Sequence, residues 1–268
     1  TIQNTVDVRR PWRSDSGRPV VMGIVNVTPD SFSDGGRHAT VDLAVAHALA
    51  MVAAGAEVID IGGESTRPNA EPVSLDEERA RTLPVIERLR ARSDVALSID
   101  TSKPPLMVDA VHAGATLVND VNALQAAGAV AAVAPLLTDV CLMHRRGTPK
   151  TMQNNPAYTD VVDDVRRELL QHVTRCVDGG IAVERVLIDP GFGFGKTSTH
   201  NLQLLRGLGE FVATGHPVLV GLSRKSLLGE VTGRPVDERL AGSVALATLA
   251  AAAGAHVIRV HDVAETVD

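Results

Sequence analysis

Short apolar runs rich in β-branched residues alternate with longer stretches of helical periodicity along the chain. The apolar runs predict β-strands at residues 20–28, 58–63, 95–101, 117–121, 139–144, 186–191, 217–223 and 257–263. Helices are predicted at residues 41–54, 75–92, 104–113, 126–134, 159–179, 199–213 and 237–253. This repeated βα order predicts an α/β fold with a parallel sheet. Eight strands favour a closed (β/α)8 TIM barrel in a single domain, and a doubly wound open sheet stays the alternative.

Polar residues gather where the predicted strands end. They are Asn26, Glu64, Asp100, Asn119, Asp120, His144, Asp189, Ser223, Arg259, His261 and Asp262. A turn or a helix cap explains any one of them as well as a functional site does. Turns and caps do not readily explain why polar residues occur at all eight strand ends. In βα barrels the active site lies at the carboxyl ends of the strands. The pattern therefore predicts an active site at this face.

Composition and charge narrow the class of protein. Aromatic residues make up only 2% of the 268, so the core has to be aliphatic, as in parallel α/β proteins. A net charge of −6 without a basic stripe argues against nucleic acid as a partner, and no stretch suits a membrane span. The two cysteines, Cys141 and Cys176, are typical of a reduced cytoplasmic protein. We expect a polar lead-in at residues 1–18 and one catalytic domain at 19–268.

The segment NVTPDSFSDGG at residues 26–36 is a long polar loop after the first predicted strand. Loops of this length in barrels are more often active-site lids than plain connections. Asn26 could hold a metal ion or a phosphate oxygen, and Phe32 could cover a bound substrate.

The segment DPGFGFGKT at residues 189–197 has the surroundings of a P-loop but not its spacing. Gly191 is one residue too close to Gly195–Lys196–Thr197, and Pro190 stands where a glycine is required, so we exclude an ATP site. Asp189 is instead predicted to point into the barrel mouth. A flat heterocycle with adjacent N–H donors would satisfy both oxygens of this carboxylate.

Two segments predict an anion site. Residues 223–226 (SRKS) combine hydroxyls, backbone N–H groups and two cations after the seventh strand. Arg259 and His261 fall on one side of the last strand, because side chains alternate with period two. With Arg67 as a third group, these residues suit a diphosphate.

The motifs quoted so far belong to an ordered set. The chain carries NVTPDSFSDGG, GGESTRP, SIDTSK, NDV, MH, DPGFGFGKT, GLSRKS and RVHDV, running from the first predicted strand to the last. This set resembles the motifs of the dihydropteroate synthase family over nearly the whole chain. The resemblance implies a TIM barrel that requires Mg²⁺, works as a homodimer and is a target of sulfonamides. It also implies an enzyme of folate biosynthesis that joins (7,8-dihydropterin-6-yl)methyl diphosphate to p-aminobenzoate, releasing diphosphate.

Carried onto this sequence, the resemblance implies three subsites for the small-molecule substrates. The pterin pocket would consist of Asp100, Asn119, Met143, Asp189, Phe194, Gly221 and Lys225. The diphosphate would bind Asn26, Arg67, Arg259 and His261, with Mg²⁺ near Asn26. The p-aminobenzoate would bind Phe32, Thr66, Arg67, Pro68 and Ser226. Asn69 stands where the family usually has glycine, which predicts an altered loop with activity retained.

The implied chemistry is a dissociative substitution at the pterin methylene. Asp100, Lys225, Arg259 and His261 are the catalytic candidates. Asp100 would stabilise the positive charge on the ring, and the arylamine is neutral at pH 7 and needs no strong base. Two alternatives stay open: a methyltetrahydrofolate-dependent methyltransferase barrel, and a pterin-binding paralogue without catalysis.

Overall fold

The computed structural model describes residues 10–13, 17–28, 36–65, 70–148 and 150–268, with the side chains of residues 36–39 left undescribed. The strands are β1 Val20–Asn26, β2 Val58–Gly62, β3 Ala96–Asp100, β4 Leu117–Asp120, β5 Asp139–Met143, β6 Val186–Asp189, β7 Leu219–Val220 and β8 Val257–Val260. The helices are α1 Gly36–Ala53, α2 Leu75–Arg90, α3 Pro104–Ala113, α4 Ala129–Val133, α5 Val161–Asp178, α6 Ser198–Arg206, α7 Leu208–Val212, α8 Ser226–Thr232, α9 Leu240–Ala252 and α10 Val263–Val267.

The eight strands form one parallel sheet in the order β6-β5-β4-β3-β2-β1-β8-β7. A parallel bridge between Ile188 and Val218 joins the two ends of this order. The Ile188 amide donates to the Pro217 carbonyl across the same seam at 3.0 Å. The sheet is therefore closed, and the predicted single-domain TIM barrel is confirmed.

Side-chain alternation divides the apolar residues into two layers. One layer, which includes Met22, Val58, Leu117 and Leu187, fills the interior of the barrel. The other layer lies between the strands and the helices, where the neighbouring residues such as Ile59 and Val118 pack. This is the two-sided burial that the aliphatic composition predicts.

The amino-terminal end of the barrel is closed by part of the segment predicted to be a polar lead-in. Trp12 is buried with the interior layer, and its Nε1 donates to Asp139 Oδ2 at 2.9 Å. Arg10 and Arg13 form ion pairs with the same buried carboxylate. Residues 10–13 thus belong to the barrel, and the polar mouth lies at the opposite end.

The predicted elements differ from the observed ones mainly at their ends. The predicted strand at 217–223 is reduced to Leu219–Val220, since the residues after it turn away into the mouth. The predicted helix at 199–213 is two helices that meet at Gly207, where a Cβ atom would lie 2.8 Å from the Val162 side chain. Among the described residues, no helix has the length and apolar character needed to cross a membrane.

Candidate active site

Strand register sets three predicted site residues and Gly62 side by side at the mouth. Asn26 pairs with Gly62, Gly62 with Asp100, and Asp100 with Asn119, across β1 to β4. On the other side of the barrel Met143 pairs with Asp189. The closed sheet therefore brings together residues that lie far apart in the sequence.

A buried ionic centre lies beneath this row. Arg259 on β8 donates from Nε to Asp60 Oδ2 at 2.6 Å and from Nη2 to Asp100 Oδ2 at 3.0 Å. Asn119 Nδ2 donates to the same Asp60 oxygen at 3.1 Å. Asp60 is fully buried and is not among the predicted site residues. The sequence feature that indicates its role is a carboxylate at an inward position of an otherwise apolar strand, because a buried charge there has to be paired.

Electrostatics make Asp100 a titratable group near neutral pH. Burial, followed by the negative charge of Asp60, raises the pKa of Asp100 to about 7, although Arg259 acts in the opposite direction. Burial lowers the pKa of Arg259, but Asp60 and Asp100 raise it by more, so the guanidinium stays charged. A cationic ligand above Asp100 would favour its ionised form.

The loop from Asp189 to Thr197 carries one wall of the pocket. Asp189 accepts a hydrogen bond from the Gly191 amide on Oδ1 at 2.7 Å, which aims the carboxylate into the barrel. Gly191 and Gly195 have positive φ, and Cβ atoms there would lie 1.9 Å and 2.4 Å from backbone oxygens of the β5–α5 connection. Only glycine permits this close approach. Burial raises the pKa of Asp189, and Lys225 opposes that shift.

Lys225 reaches over the same pocket from the loop after β7. Its Nζ donates to the Phe192 carbonyl and lies 4.7 Å from the centre of the Phe194 ring. Burial lowers the pKa of Lys225 to about 8, while Asp189 opposes the decrease. Gly221 precedes this loop and keeps the space beside Arg259 open, because a Cβ atom there would contact only Arg259.

The anion site predicted from SRKS needs correction. Arg224 turns away from Lys225, adopts φ +58° and forms an ion pair with Asp262. Its charge is thereby neutralised, so only one of the two predicted cations faces the pocket. Ser226 is exposed at the first position of α8.

His261 lies just beyond the end of β8, so strand alternation does not fix its side chain as predicted. Ser223 does so instead, because its Oγ lies 2.9 Å from His261 Nδ1 and accepts the His261 amide at 3.2 Å. The Ser223 hydroxyl therefore holds the imidazole ring at its Nδ1 atom.

Several predicted site residues lie outside the described part of the chain. These are Phe32, Thr66, Arg67 and Pro68, together with Asn69. Their assignment to the diphosphate and p-aminobenzoate subsites stays a prediction.

The donor set at the mouth fits a magnesium ion. A Cβ atom on Gly62 would lie 3.7 Å from both Asn26 Oδ1 and Asp100 Oδ2, so these two oxygens flank an open space. Within the described ranges, no group of three or more His, Cys, Asp or Glu side chains forms a ready-made cage. Mg²⁺ commonly takes one or two protein oxygens and completes its shell with water and substrate phosphates.

Comparison with known proteins identifies the relatives of this chain. The family model described as pterin binding enzyme matches residues 22–261. Dihydropteroate synthase of Escherichia coli (strain K12) is 51% identical over 254 residues, covering 95% of this chain and 90% of that protein. The structure of Xanthomonas albilineans dihydropteroate synthase with 4-aminobenzoic acid is 54% identical, with a TM-score of 0.89 and coverage of 94% and 90%. The Yersinia pestis enzyme in a sulfonamide drug complex is 54% identical, with a TM-score of 0.90 and coverage of 95% and 92%.

The closed barrel and its polar mouth define a pterin-binding enzyme of the (β/α)8 class. The chain belongs to the dihydropteroate synthase family, since the match to the E. coli relative runs over nearly its full length. The family predicted from the ordered motifs is therefore confirmed.

Proposed function

We propose that the barrel mouth is a transferase site that joins (7,8-dihydropterin-6-yl)methyl diphosphate to p-aminobenzoate. The products are 7,8-dihydropteroate and diphosphate. The observation that carries this proposal is the convergence of Asp100, Asn119, Asp189 and Lys225 around one pocket, in a chain whose relatives have this activity by name. Relatives crystallised with 4-aminobenzoic acid and with a sulfonamide support the second substrate and the drug class.

The pocket groups match the edge of a pterin ring. Asp189 has one oxygen held by Gly191, and its carboxylate accepts from the 2-amino group and the adjacent ring N–H. Asn119 offers an amide beside it, and Lys225 donates to the ring oxygen and nitrogen. Met143 and Phe194 line the pocket, and Gly221 leaves room for the ring.

The reaction needs charge stabilisation more than acid–base catalysis. As the bond from the methylene carbon to the diphosphate oxygen breaks, the dihydropterin ring carries positive charge, and the arylamine nitrogen then bonds to that carbon and loses a proton. Burial and Asp60 raise the pKa of Asp100 to about 7, and developing positive charge above it favours the carboxylate form. Arg259 and His261 bind the departing diphosphate from the base of the mouth.

Magnesium is proposed to bind between Asn26 and the diphosphate. It would neutralise charge on the leaving group. Removing divalent cations with a chelator is expected to lower turnover by roughly two orders of magnitude while leaving the melting temperature within about 1 °C, because the ion contacts substrate more than protein. Restoring Mg²⁺ should restore the rate. Full turnover in metal-free buffer would contradict the assignment, and a large drop in melting temperature would indicate a structural metal instead.

Product analysis separates this function from the two alternatives. Incubation with both substrates should yield 7,8-dihydropteroate by chromatography, and omission of either substrate should abolish it. Methyl transfer from methyltetrahydrofolate without dihydropteroate formation would favour the methyltransferase alternative. Pterin binding with neither product would favour the non-catalytic paralogue.

We propose that two copies of the chain associate through α9. This helix has no charged residue, and its exposed face consists of Leu240, Ala241, Ala245, Thr248, Leu249 and Ala252. Leu249 is 55% exposed. Contact with water is unfavourable for an apolar face of this kind, and burial against a second copy removes that contact.

Leu249→Asp is expected to convert the dimer to a monomer in analytical ultracentrifugation, because it places a charge at the centre of an apolar contact. Leu137→Asp is the matched control, since Leu137 is 82% exposed on the loop before β5. A dimer that withstands the α9 substitution, or a wild-type monomer, would contradict the proposal.

The cytoplasm is the compartment that we propose. Cys141 inside the barrel and Cys176 on α5 are both buried free thiols. Such thiols suit a reducing compartment.

A further inference from the structure

The loop after β6 is built around a buried lysine that is not among the predicted site residues. Lys196 is 3% exposed. Its Nζ lies 2.9 Å from the Gly191 carbonyl oxygen, 3.1 Å from the Phe194 carbonyl oxygen and 2.9 Å from His144 Nδ1. An ammonium group is costly to bury, so its position requires an explanation.

The hydrogen bonds fix where the protons lie. His144 Nε2 is 2.8 Å from Glu168 Oε2, and the bond to His144 is the largest factor that lowers the pKa of Glu168 to about 2. Glu168 is therefore ionised and accepts a hydrogen bond from the Nε2–H group of His144. Burial and Lys196 lower the pKa of His144 to about 4, so the ring is neutral and Nδ1 accepts from Lys196. Burial and the nearby Lys225 lower the pKa of Lys196 well below its ordinary value, and Asp189 opposes that decrease. The surroundings of Nζ favour the ammonium form on geometric grounds, because four acceptors face it, the fourth being the His144 carbonyl oxygen at 3.4 Å.

Lys196 bonds to the two residues that shape the pterin pocket. The Gly191 carbonyl oxygen accepts a hydrogen bond from Lys196, and the Gly191 amide donates to Asp189 Oδ1 at 2.7 Å. The Phe194 carbonyl oxygen also accepts from Lys196, and the Phe194 ring lies against Lys225. One ammonium group thus sets the backbone that orients both the carboxylate and the aromatic wall.

We propose that Lys196 is a positioning residue for the pterin, which holds Asp189 and Phe194 in their binding geometry and is itself anchored to α5 through His144 and Glu168. This inference rests on the proposed function, because it assigns the pterin to Asp189. Lys196 acts before the substrate arrives: it lowers the cost of ordering the loop. It therefore contributes to pterin affinity and leaves the p-aminobenzoate subsite unchanged.

Calorimetry with dihydropterin diphosphate tests the inference without any reaction. Lys196→Met keeps the length of the side chain and removes its donors, and we expect it to weaken binding at least tenfold. The KM for p-aminobenzoate at saturating pterin should stay within twofold of the wild-type value. Tyr158→Phe is the matched control, since it removes a hydrogen bond to the Gly195 carbonyl of the same loop at 2.8 Å without contacting Asp189 or Phe194.

Equal pterin affinity in Lys196→Met and wild type would overturn the inference, as would an equal loss in Tyr158→Phe. Failure of the proposed function is distinguishable, because the wild-type protein would then form no 7,8-dihydropteroate from the two substrates, whatever effect Lys196→Met has on pterin binding.

His144 supplies a second pair of variants that keeps the test decisive if Lys196→Met does not fold. His144→Asn places an amide oxygen at the position of Nδ1 and retains the acceptor for Lys196, whereas His144→Leu removes it. The His144→Asn variant should bind dihydropterin diphosphate with a Kd within threefold of the wild-type value. The His144→Leu variant should bind it at least tenfold more weakly than wild type. Equal affinities for the two variants would contradict the role of Lys196.

Discussion

Asp189→Asn is expected to weaken dihydropterin diphosphate binding about 100-fold while leaving the fold intact. The amide oxygen can keep the hydrogen bond from the Gly191 amide, which is 2.7 Å from Oδ1 in the native loop. The amide nitrogen then faces the pocket, so a donor opposes the ring N–H donors. Losing charge-assisted hydrogen bonds and leaving buried donors unpaired costs about 3 kcal/mol, and every 1.4 kcal/mol corresponds to about a factor of ten in affinity.

Asp139→Asn is the control for this experiment. Asp139 is equally buried, but it binds Trp12, Arg10 and Arg13 at the opposite end of the barrel. Its substitution should lower stability and leave pterin affinity unchanged. Native affinity in Asp189→Asn would remove the basis of the pocket assignment.

Arg259→Met is expected to lower kcat at least about 100-fold and to destabilise the fold by about 3 kcal/mol at pH 8. The substitution leaves Asp60 and Asp100 buried side by side without their cation. The pKa of Asp100, already raised to about 7 by burial and Asp60, rises further, so this carboxyl becomes neutral at pH 7. It then no longer stabilises positive charge on the ring.

The same ionic centre predicts how the loss of stability depends on pH. A carboxyl whose pKa is raised in the folded protein binds more protons there than in the unfolded chain. Its destabilising effect is therefore largest above the folded pKa and disappears as the pH falls towards the unfolded value near 4. Denaturant unfolding of Arg259→Met should show a smaller deficit relative to wild type at pH 6 than at pH 8. Arg259→Lys, which keeps the charge but not the two-pronged geometry, should lose less stability. A deficit independent of pH would contradict the proposed pairing.

The positions of the strands could be predicted from the sequence better than their lengths. All strands except β3 and β7 begin at the predicted residues, because β-branched runs start where the ladder starts. The predicted ends run one to three residues too far, since the apolar pattern continues into residues that already turn at the mouth. The pterin pocket could be located because polar residues at parallel strand ends converge in any closed barrel.

Pairing between distant charges could not be read from the chain. Arg224 and Lys225 are neighbours in sequence, yet Arg224 pairs with Asp262 while Lys225 turns into the pocket. Asp60 is hidden within an apolar strand, and its role as partner of Arg259 depends on the pairing of β8 with β1 and of β1 with β2. These pairings are set by strand register, which one sequence does not specify.

A crystal structure of the chain with a bound dihydropterin diphosphate tests the central claim most directly. We expect the pterin ring at the carboxyl ends of the strands, with its 2-amino group and adjacent N–H within about 3.2 Å of the Asp189 carboxylate. Asn119 should lie beside it and Lys225 on the opposite edge. A ring bound elsewhere in the mouth, with Asp189 paired only to the protein, would contradict it.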